Sequence, residues 1–579
     1  MKQSSLIFNI SLIILLFFSL FLYIYKNTLF PPSLFSDEVD ANYQAFVFNN
    51  RGTDYFGNKF PIHFHSFVDW RTSLYIYSIA FVQKFVGHTD LAARLPASIF
   101  GTLSVFVFFL ILKNLYKNPI WALIGSLLFS ITPWLFHFSR IGFEATGMLL
   151  FLLLGFYFWI KFINHKKDKF LFLSAFSFLL TIYFYSTAKL FLIFIGIAIL
   201  ILWFKTILKL SLKTKIILAL IVFLISFPFL IDTLNGRAGY RFSYINIFSD
   251  PTISKTVDFL RYEDSVVISG EQVGLKPTFV SKIFHNKFSL WSERFVKNYY
   301  SAFSTDFLFL KGDGNLRQSI QTVGNLLFPD LILVVIGISS IFIKKSANHK
   351  FYLFFLISLI CAPIPFALTR DSSFPHSTRL ILMLPFLSLF SLLGLKQIFE
   401  STKSKYIIGL ILFIYILCFG RFLHQYYFHY PNISARDWHF GMKEAVLEAN
   451  TSNYQKRYFI NSSESFTPFF LNYNEYLPPD KNISPVSSFI SINESFFSGI
   501  QIENNYYLGT IEWAILFKNL PLNTLFVVPK RDLLSIKTSL DNHNKSNPNK
   551  ISLSEIDKTI KKYTEQEEFY LITFKNEKP

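Results

Sequence analysis

Long apolar runs separated by short polar connections dominate the chain as far as about residue 425. A transmembrane helix needs about 20 mostly apolar residues to cross roughly 30 Å of hydrocarbon, and about eleven runs approach that length. They centre on residues 6–25, 92–112, 119–137, 143–160, 170–186, 188–204, 216–232, 327–343, 351–368, 379–395 and 406–423. The pattern predicts a polytopic α-helical membrane protein.

Three longer polar segments interrupt this pattern, at residues 27–91, 233–325 and 430–579. With the N-terminus inside, all three lie outside the cytoplasm, so the first two are interpreted as outer loops of a transmembrane domain over residues 1–429. Residues 430–579 contain a candidate helix followed by a strand in "DWHFGMKEAVLEANTSNYQKRYFI" and strand-like "LNTLFVVPK" and "EEFYLITFK". We predict an extracytoplasmic α/β domain there, with the Asn-rich "DNHNKSNPNK" as a loop.

Composition agrees with a membrane location, since 52% of the 579 residues are hydrophobic and only 16% are charged. The net charge of +18 is spread unevenly between the connections on the two sides of the predicted spans. The connections predicted to face the cytoplasm, together with Lys2, hold 17 Lys and Arg, whereas the short connections on the other side hold three. This asymmetry predicts a plasma-membrane protein with a cytoplasmic N-terminus, and it leaves no reason to expect nucleic-acid binding.

Ionisable side chains are nearly missing from the predicted helix interiors, which argues against a pump or secondary transporter. They collect instead at the outer ends of the spans: Arg94, Arg140, Glu144, Lys189, Asp232, Arg370, Asp371, His376 and Arg379. The acidic stretch "FSDEVD" follows the first span closely and adds three carboxylates. These groups predict a polar cavity at the outer lipid boundary, suited to a substrate with an apolar tail and an anionic head.

Several segments, taken in order, resemble the GT-C glycosyltransferases of the protein mannosyltransferase and aminoarabinose transferase superfamily. They are "DE" after the first span, "GTDYFGNKFPIHFHSFVDWRTSLYIY", "LAARLPASIFGTL", "ITPWLFHFSRIGFEA", "FLFLKGDGNLRQSIQTVGNLL" and "APIPFALTRDSSFPHSTRLILMLP". The resemblance covers most of residues 5–425. It implies a GT-C fold and an inverting transfer of one sugar from a polyprenyl-phosphate donor to a protein, lipid or glycan hydroxyl outside the cytoplasm.

A positioned carboxylate can take the proton of an acceptor hydroxyl as the new glycosidic bond forms. By resemblance Asp37 is the catalytic base and Glu38 shapes the site. The alternative is that these carboxylates only cap a surface helix that starts at "SDE". Asp69 and Arg71, near the end of the first outer loop, are further candidates for contact with the sugar, although an ordinary surface aspartate beside Trp70 is equally compatible with the pattern.

The leaving lipid phosphate needs cations, and arginine binds phosphate oxygens in a bidentate manner. The candidates for substrate binding, beside Asp69, Arg71 and Glu144, are Arg94, Arg140, Lys189, His376 and Arg379, with Asp313 and Arg317 as weaker ones. For each cation the alternative is an interfacial side chain that extends toward lipid headgroups.

No cofactor and no obligatory metal are predicted, because "DEVD" is not an Asp-x-Asp arrangement and cations alone can stabilise a monophosphate leaving group. Two rival functions remain open. One is a diphosphate-linked oligosaccharide transferase or glycan ligase, and the other is a non-enzymatic lipid-glycan flippase or assembly component. The sequence leaves the sugar and the acceptor undetermined.

Overall fold

A computed structural model describes residues 2–67, 69–269, 277–343, 346–370, 374–461, 465–521, 523–547, 550–561 and 567–576. As far as Ser434 the described chain is almost entirely helical. Its helices are α1 (Lys2–Ile24), α2 (Ser36–Arg51), α3 (Ser73–Val86), α4 (Asp90–Leu115), α5 (Pro119–Ser130), α6 (Pro133–Phe138), α7 (Ala145–His165), α8 (Asp168–Leu180), α9 (Thr187–Leu208), α10 (Leu212–Leu234), α11 (Tyr240–Ile245), α12 (Thr252–Ser269), α13 (Phe279–Phe284), α14 (Lys287–Ser301), α15 (Pro329–Ile343), α16 (His349–Cys361), α17 (Ile364–Ala367), α18 (Ser377–Leu380), α19 (Leu384–Thr402), α20 (Lys405–His424) and α21 (Tyr430–Ser434).

Seven helical segments of the described ranges are long and apolar enough to cross a membrane, judged by length and composition. They are Asp90–Leu115, Ala145–His165, Thr187–Leu208, Leu212–Leu234, His349–Ala367, Ser377–Thr402 and Lys405–Ser434, and each coincides with a predicted span. The other four predicted spans coincide with α1 and with the shorter helices α5, α8 and α15. The predicted span 119–137 is divided because Pro133 cannot continue α5 and starts α6 instead.

Helices α15 and α19 approach each other closely through two glycines. A Cβ atom on Gly337 would lie 1.9 Å from the carbonyl oxygen of Phe390, and one on Gly394 would lie 2.0 Å from that of Leu333. Only glycine permits backbones at this distance, as in other small-residue crossings of membrane helices.

The C-terminal part holds a seven-stranded mixed sheet with strand order β4-β5-β6-β3-β7-β9-β8. Its strands are β3 (Lys456–Ile460), β4 (Ile490–Asn493), β5 (Phe497–Ile502), β6 (Tyr506–Ile511), β7 (Thr524–Pro529), β8 (Ile551–Lys561) and β9 (Glu567–Asn576), and its helices are α22 (Met442–Thr451), α23 (Thr467–Tyr473), α24 (Trp513–Leu516) and α25 (Leu533–Ser546). The predicted sheet-containing region is thereby confirmed, and the strands predicted in "LNTLFVVPK" and "EEFYLITFK" are β7 and β9. A domain boundary at residue 430 stays a prediction.

The predicted loop "DNHNKSNPNK" is wrong in its first six residues, which form the end of α25. Ile536 and Leu540 on that helix are buried against the sheet, and this burial outweighs the low helix propensity of the asparagines. Asn544 is used in the packing, since its side chain pairs with both the N–H and the carbonyl of Ile551.

Alternation along the central strands divides the sheet between two cores. Phe459, Leu525 and Val527 face one core, while Tyr458 and Phe526 face the other. The first core also contains residues of α2 and its flanks: Leu34, Val39, Tyr43, Val47 and Tyr55. Helix α2 therefore packs on the C-terminal part with one face, which holds its N-terminal turn between that part and the membrane helices.

Candidate active site

The two candidate carboxylates at the start of α2 point in different directions. Glu38 is fully buried, and its carboxylate accepts hydrogen bonds from the backbone N–H of Phe35 (2.9 Å) and from Arg94 (2.8 and 2.9 Å). The Asp37 side chain is 43% exposed and faces a cavity. Of the two interpretations of "SDE", helix capping thus describes Glu38, whereas Asp37 is available to a ligand.

Two arginines predicted to bind substrate instead hold the loop between α1 and α2. Arg94 is fully buried and donates to the carbonyls of Asn27, Pro31 and Ser33 besides Glu38. Arg140, also fully buried, donates to three further carbonyls in the segment from Leu22 to Phe30. Neither arginine lines the cavity beside Asp37. Their contacts are those of structural side chains that satisfy backbone groups otherwise left without partners.

Arg71 joins the carboxylates of α2 into one cluster. It lies on β2 (Trp70–Thr72), which pairs with the antiparallel strand β1 (His63–His65) in the segment between α2 and α3. Its guanidinium forms an ion pair with Asp37, and its Nε lies 2.7 Å from Oδ2 of Asp40. Tyr55 donates a hydrogen bond of 2.7 Å to the other oxygen of Asp40. Arg71 therefore holds Asp37 in place and stands between the two aspartates.

The charges around Asp37 decide its protonation. Burial alone would raise the pKa of Asp37, but the attraction and hydrogen bond of Arg71, with Arg241 and Arg317 farther away, bring the pKa below its usual value. Asp40 differs, because burial outweighs Arg71 and raises its pKa. Asp37 is thus the carboxylate of this pair that stays ionised and ready to accept a proton.

The cavity beside Asp37, here the cationic cavity, has a volume of about 180 Å³. Five cationic side chains and two carboxylates line it: Arg71, Lys189, Arg237, Arg241 and Arg317, with Asp37 and Glu144. His376 lies on the same wall, with its Nε2 3.1 Å from the side-chain nitrogen of Gln318. The excess of positive charge favours an anionic ligand.

An apolar groove of about 290 Å³ continues from the cationic cavity and shares Lys189 and Arg241 with it. Its lining comes mainly from α9, α10 and α11: Leu190, Phe229, Phe242 and Ile245, with Pro365 opposite. Arg379 lies in this groove, where it donates a hydrogen bond of 2.9 Å to Thr369. The two spaces together offer a charged site joined to an apolar channel between membrane helices.

A second cavity of about 340 Å³, here the acidic cavity, lies on the other side of Asp37. Its lining contains three carboxylates, two guanidinium groups and hydroxyl groups of the C-terminal part: Asp37, Asp40, Asp69, Arg71, Arg241, Ser465 and Thr467. Burial raises the pKa of Asp69, although Arg241, whose Nη1 lies 3.5 Å from its carboxylate, opposes the shift. Asp37 and Arg71 line both cavities.

Asp313, another candidate from the sequence, has a supporting position behind the cavity. Asp313 is buried and accepts the backbone N–H groups of Asn315 (2.8 Å) and Ser377 (2.6 Å), so it holds together two segments that reach the cavity. Burial raises the pKa of Asp313 to about 6. Asp371 lies outside the described residues.

Sequence reasoning missed three cavity residues, Arg237, Arg241 and His63. The two arginines lie in "DTLNGRAGYRF", at the end of a predicted span whose last charge is Asp232. Two arginines so close to the end of a span are a signal that the sequence offers. Arg237 is positioned by a stack in which its guanidinium lies 4.9 Å from the centre of Trp70 and Trp70 lies 4.2 Å from His65.

A family profile described as dolichyl-phosphate-mannose-protein mannosyltransferase matches residues 71–231. Among solved structures, ArnT from Cupriavidus metallidurans bound to undecaprenyl phosphate is 10% identical, with a TM-score of 0.52 over 99% of this chain and 98% of that chain. The archaeal oligosaccharyltransferase AglB from Archaeoglobus fulgidus, in complex with an inhibitory peptide and a dolichol-phosphate, is 12% identical, with a TM-score of 0.48 over 99% and 74%. No match was found among curated proteins.

The profile matches the region that contains Arg71, Arg94, Arg140, Glu144 and Lys189. The similarity to ArnT extends over nearly the whole chain and shows the fold. The resemblance predicted from the sequence is therefore confirmed, and the chain is a multi-pass membrane protein with the GT-C glycosyltransferase fold.

Proposed function

We propose that the chain transfers a single sugar from a polyprenyl-phosphate donor to an acceptor hydroxyl, with Asp37 as the base. One observation carries the proposal: Asp37 is partly exposed and lines two cavities, of which one has an excess of cationic side chains and the other has three aspartates and two arginines. The donor phosphate binds in the cationic cavity, and the acceptor hydroxyl approaches from the acidic cavity. Asp37 takes the acceptor proton while the anomeric carbon passes from the phosphate oxygen to the acceptor oxygen, which inverts its configuration.

The donor class is supported by the charged cavity and its apolar continuation. Arg71, Lys189, Arg237, Arg241 and Arg317 supply the positive charge that stabilises a leaving phosphate in a site partly shielded from water. The apolar groove accommodates the first part of a lipid tail. The crystal structure of ArnT with undecaprenyl phosphate supports the same lipid class.

The lining of the acidic cavity is compatible with several classes of acceptor. Carboxylates, hydroxyls and two arginines line the acidic cavity, and all of these groups can hydrogen-bond to neutral hydroxyl-bearing molecules. A peptide Ser or Thr, a lipid headgroup or a glycan all fit this description. Since Ser465 and Thr467 belong to the C-terminal part, we propose that residues 430–579 form an extracytoplasmic domain that contributes to acceptor binding.

The orientation of the chain in the membrane is proposed from the positions of its cationic connections and of the proposed site. The cationic connections predicted to face the cytoplasm lie at the opposite ends of the spans from Asp37 and its cavities. We therefore propose that the N-terminus is cytoplasmic, that the site faces the outside of the plasma membrane, and that the lipid donor enters from the bilayer.

The direct test is sugar transfer by the purified full-length chain in nanodiscs, with radiolabelled donors of two kinds. We expect transfer from polyprenyl-monophosphate sugars and not from polyprenyl-diphosphate oligosaccharides. Transfer from the diphosphate donors alone would establish the oligosaccharide-transferase alternative. If no donor is used but labelled lipid crosses the bilayer, the flippase alternative replaces the proposal.

Transfer is expected to survive metal chelation. Arg71 stands between Asp37 and Asp40, where its guanidinium supplies the positive charge that a divalent cation would otherwise bring to two carboxylates. Among the described residues there is no group of three His, Cys, Asp or Glu side chains arranged to hold a metal ion. The measurement is the initial rate before and after dialysis against EDTA. A loss of activity that Mg²⁺ or Mn²⁺ restores would contradict the expectation.

Arg241→Gln is expected to weaken binding of undecaprenyl phosphate by about 10- to 100-fold, because it removes one charged donor at the junction of cavity and groove. Microscale thermophoresis in detergent measures the change. Arg531→Gln, an exposed arginine of the C-terminal part, is the matched control and should bind like the parent chain. Equal affinity of the two variants would remove Arg241 from the proposed phosphate site.

A further inference from the structure

A buried histidine–aspartate pair adjoins the cationic cavity, and the histidine of the pair lines it. His63, on β1, is 3% exposed, and its Nδ1 lies 2.7 Å from Oδ2 of Asp232 near the end of α10. The segment between α2 and α3 is thereby joined to a membrane helix. This contact alone would be a structural ion pair. The second ring nitrogen of His63, Nε2, indicates a further role.

Nε2 of His63 is buried and has no hydrogen-bond partner in the described part of the chain. Because a carboxylate only accepts, Nδ1 must donate to Asp232, and this contact sets the orientation of the ring. Nε2 then remains for a ligand, and His63 lines the cationic cavity. A buried polar atom without a partner is costly in free energy, so its presence at a cavity wall indicates a binding position.

The neighbours of His63 show which kind of ligand fits. Arg237 lies 3.7 Å from the second oxygen of Asp232, and Lys189 is close enough to act electrostatically on the imidazole. Lys189 is held by a hydrogen bond of 2.8 Å to the carbonyl of Ala238. The side chains of Lys189, Arg237 and His63 line the same cavity, and together they form a site for an anion with several acceptor oxygens.

We propose that His63 is a phosphate-binding residue whose Nε2–H donates to an oxygen of the lipid phosphate, while Asp232 acts as the positioning residue behind it. This inference rests on the proposed function and names a group of its donor site. No covalent bond changes in the step. At a pH between the pKa values of His63 in the empty and in the occupied protein, a proton from solution is taken up on Nε2 when the lipid phosphate binds, and it is released when the lipid leaves.

Protonation couples binding to pH in a defined direction. In the empty cavity burial lowers the pKa of His63, Lys189 and Arg237 lower it further, and Asp232 opposes the shift. A bound phosphate adds negative charge and raises this pKa. The protonated fraction in the complex therefore exceeds that in the empty protein, so binding tightens as the pH falls through the range between the two values.

Two substitutions at the same position separate the role of Nε2 from that of Nδ1. His63→Asn keeps a donor near Nδ1 for Asp232 and removes Nε2, whereas His63→Gln places a neutral donor near Nε2. The probe is undecaprenyl phosphate, bound to the full-length chain in detergent between pH 5.5 and 8.5. Since the lipid phosphate itself titrates, the quantity compared is the ratio of the parent affinity to the variant affinity at each pH.

We expect His63→Asn to bind about tenfold or more weakly at pH 5.5, with the ratio approaching one at pH 8.5. His63→Gln should bind with intermediate affinity at low pH, and Asp232→Asn should diminish the pH dependence because the imidazolium loses its partner. His165→Gln, an exposed histidine at the end of α7, is the control and should match the parent. Thermal unfolding of each variant verifies that the fold is retained.

A ratio that is constant with pH, or His63→Asn binding equal to the parent, would overturn the assignment of His63 and leave the proposed function intact. Failure of the parent chain itself to bind undecaprenyl phosphate would instead overturn the polyprenyl-phosphate donor class, and with it this inference. The two failures are distinguishable because the first is seen only when the His63 variants are compared with a parent chain that binds the lipid, whereas the second is seen in the parent chain itself.

Discussion

Asp37→Asn is expected to lower sugar transfer by about 10²- to 10⁴-fold, the range that a positioned general base contributes. Asparagine keeps the shape of the side chain and removes its capacity to accept the acceptor proton. Arg71 retains Asp40 as an ion-pair partner, and Asp37 is partly exposed, so the free energy of unfolding should change by no more than about 1 kcal/mol. A large loss of rate with little loss of stability is therefore the expected combination.

The measurement is single-turnover transfer from a labelled polyprenyl-phosphate sugar, alongside binding of undecaprenyl phosphate. Binding should remain within about threefold of the parent if Asp37 acts mainly on the acceptor proton. Asp541→Asn, at an exposed position on α25, is the matched control and should transfer at the parent rate. Undiminished transfer by Asp37→Asn would exclude Asp37 as the base and direct attention to Glu144, the other carboxylate in the cationic cavity.

Arg94→Met is expected to cost about 3–5 kcal/mol of folding free energy, because it leaves the carboxylate of Glu38 buried without its cationic partner. It also removes the donors to the carbonyls of Asn27, Pro31 and Ser33. Native proteins are stable by only about 5–15 kcal/mol, so the variant should accumulate poorly and unfold at a markedly lower temperature.

The double substitution Glu38→Gln with Arg94→Met tests the physical reason. With no buried charge left, the double variant should be more stable than Arg94→Met alone. Measured together with Glu38→Gln and the parent chain, it completes a double-mutant cycle that gives the coupling energy between the two groups. Arg531→Met, at an exposed arginine, should leave thermal unfolding unchanged. If Arg94→Met instead unfolds like the parent but no longer binds undecaprenyl phosphate, the substrate-binding role predicted from the sequence is correct and the structural role is wrong.

The membrane character of the chain could be predicted because it depends on local physics. Each apolar run must avoid water along its length, and a helix is the structure that satisfies its own backbone in lipid. The strands β7 and β9 were equally visible, since their runs of β-branched and aromatic residues are typical of strands buried on both faces. The end of α25 was missed because tertiary packing overrode a local preference.

The roles of individual charges were less predictable, because identical signals have different causes. Arg94, Arg140, Lys189 and Arg241 all lie close to helix ends. Arg94 and Arg140 are fully buried and donate to backbone carbonyls between Leu22 and Ser33, whereas Lys189 and Arg241 line the cationic cavity. The sequence cannot distinguish these cases, since the decisive carbonyls of Asn27 and Phe30 belong to a segment more than sixty residues away.

The membrane spans, the strand-forming segments of the C-terminal part and the acidic start of α2 can be read from neighbours along the chain, and the resemblance to known glycosyltransferases adds the overall fold. The burial of Glu38 with Arg94, the position of Asp37 on two cavities and the contact of His63 with Asp232 depend on tertiary structure. Glu38 and Arg94 are 56 residues apart in the chain, and His63 and Asp232 are 169 residues apart. Their distances depend on the packing of whole helices, which no local pattern encodes.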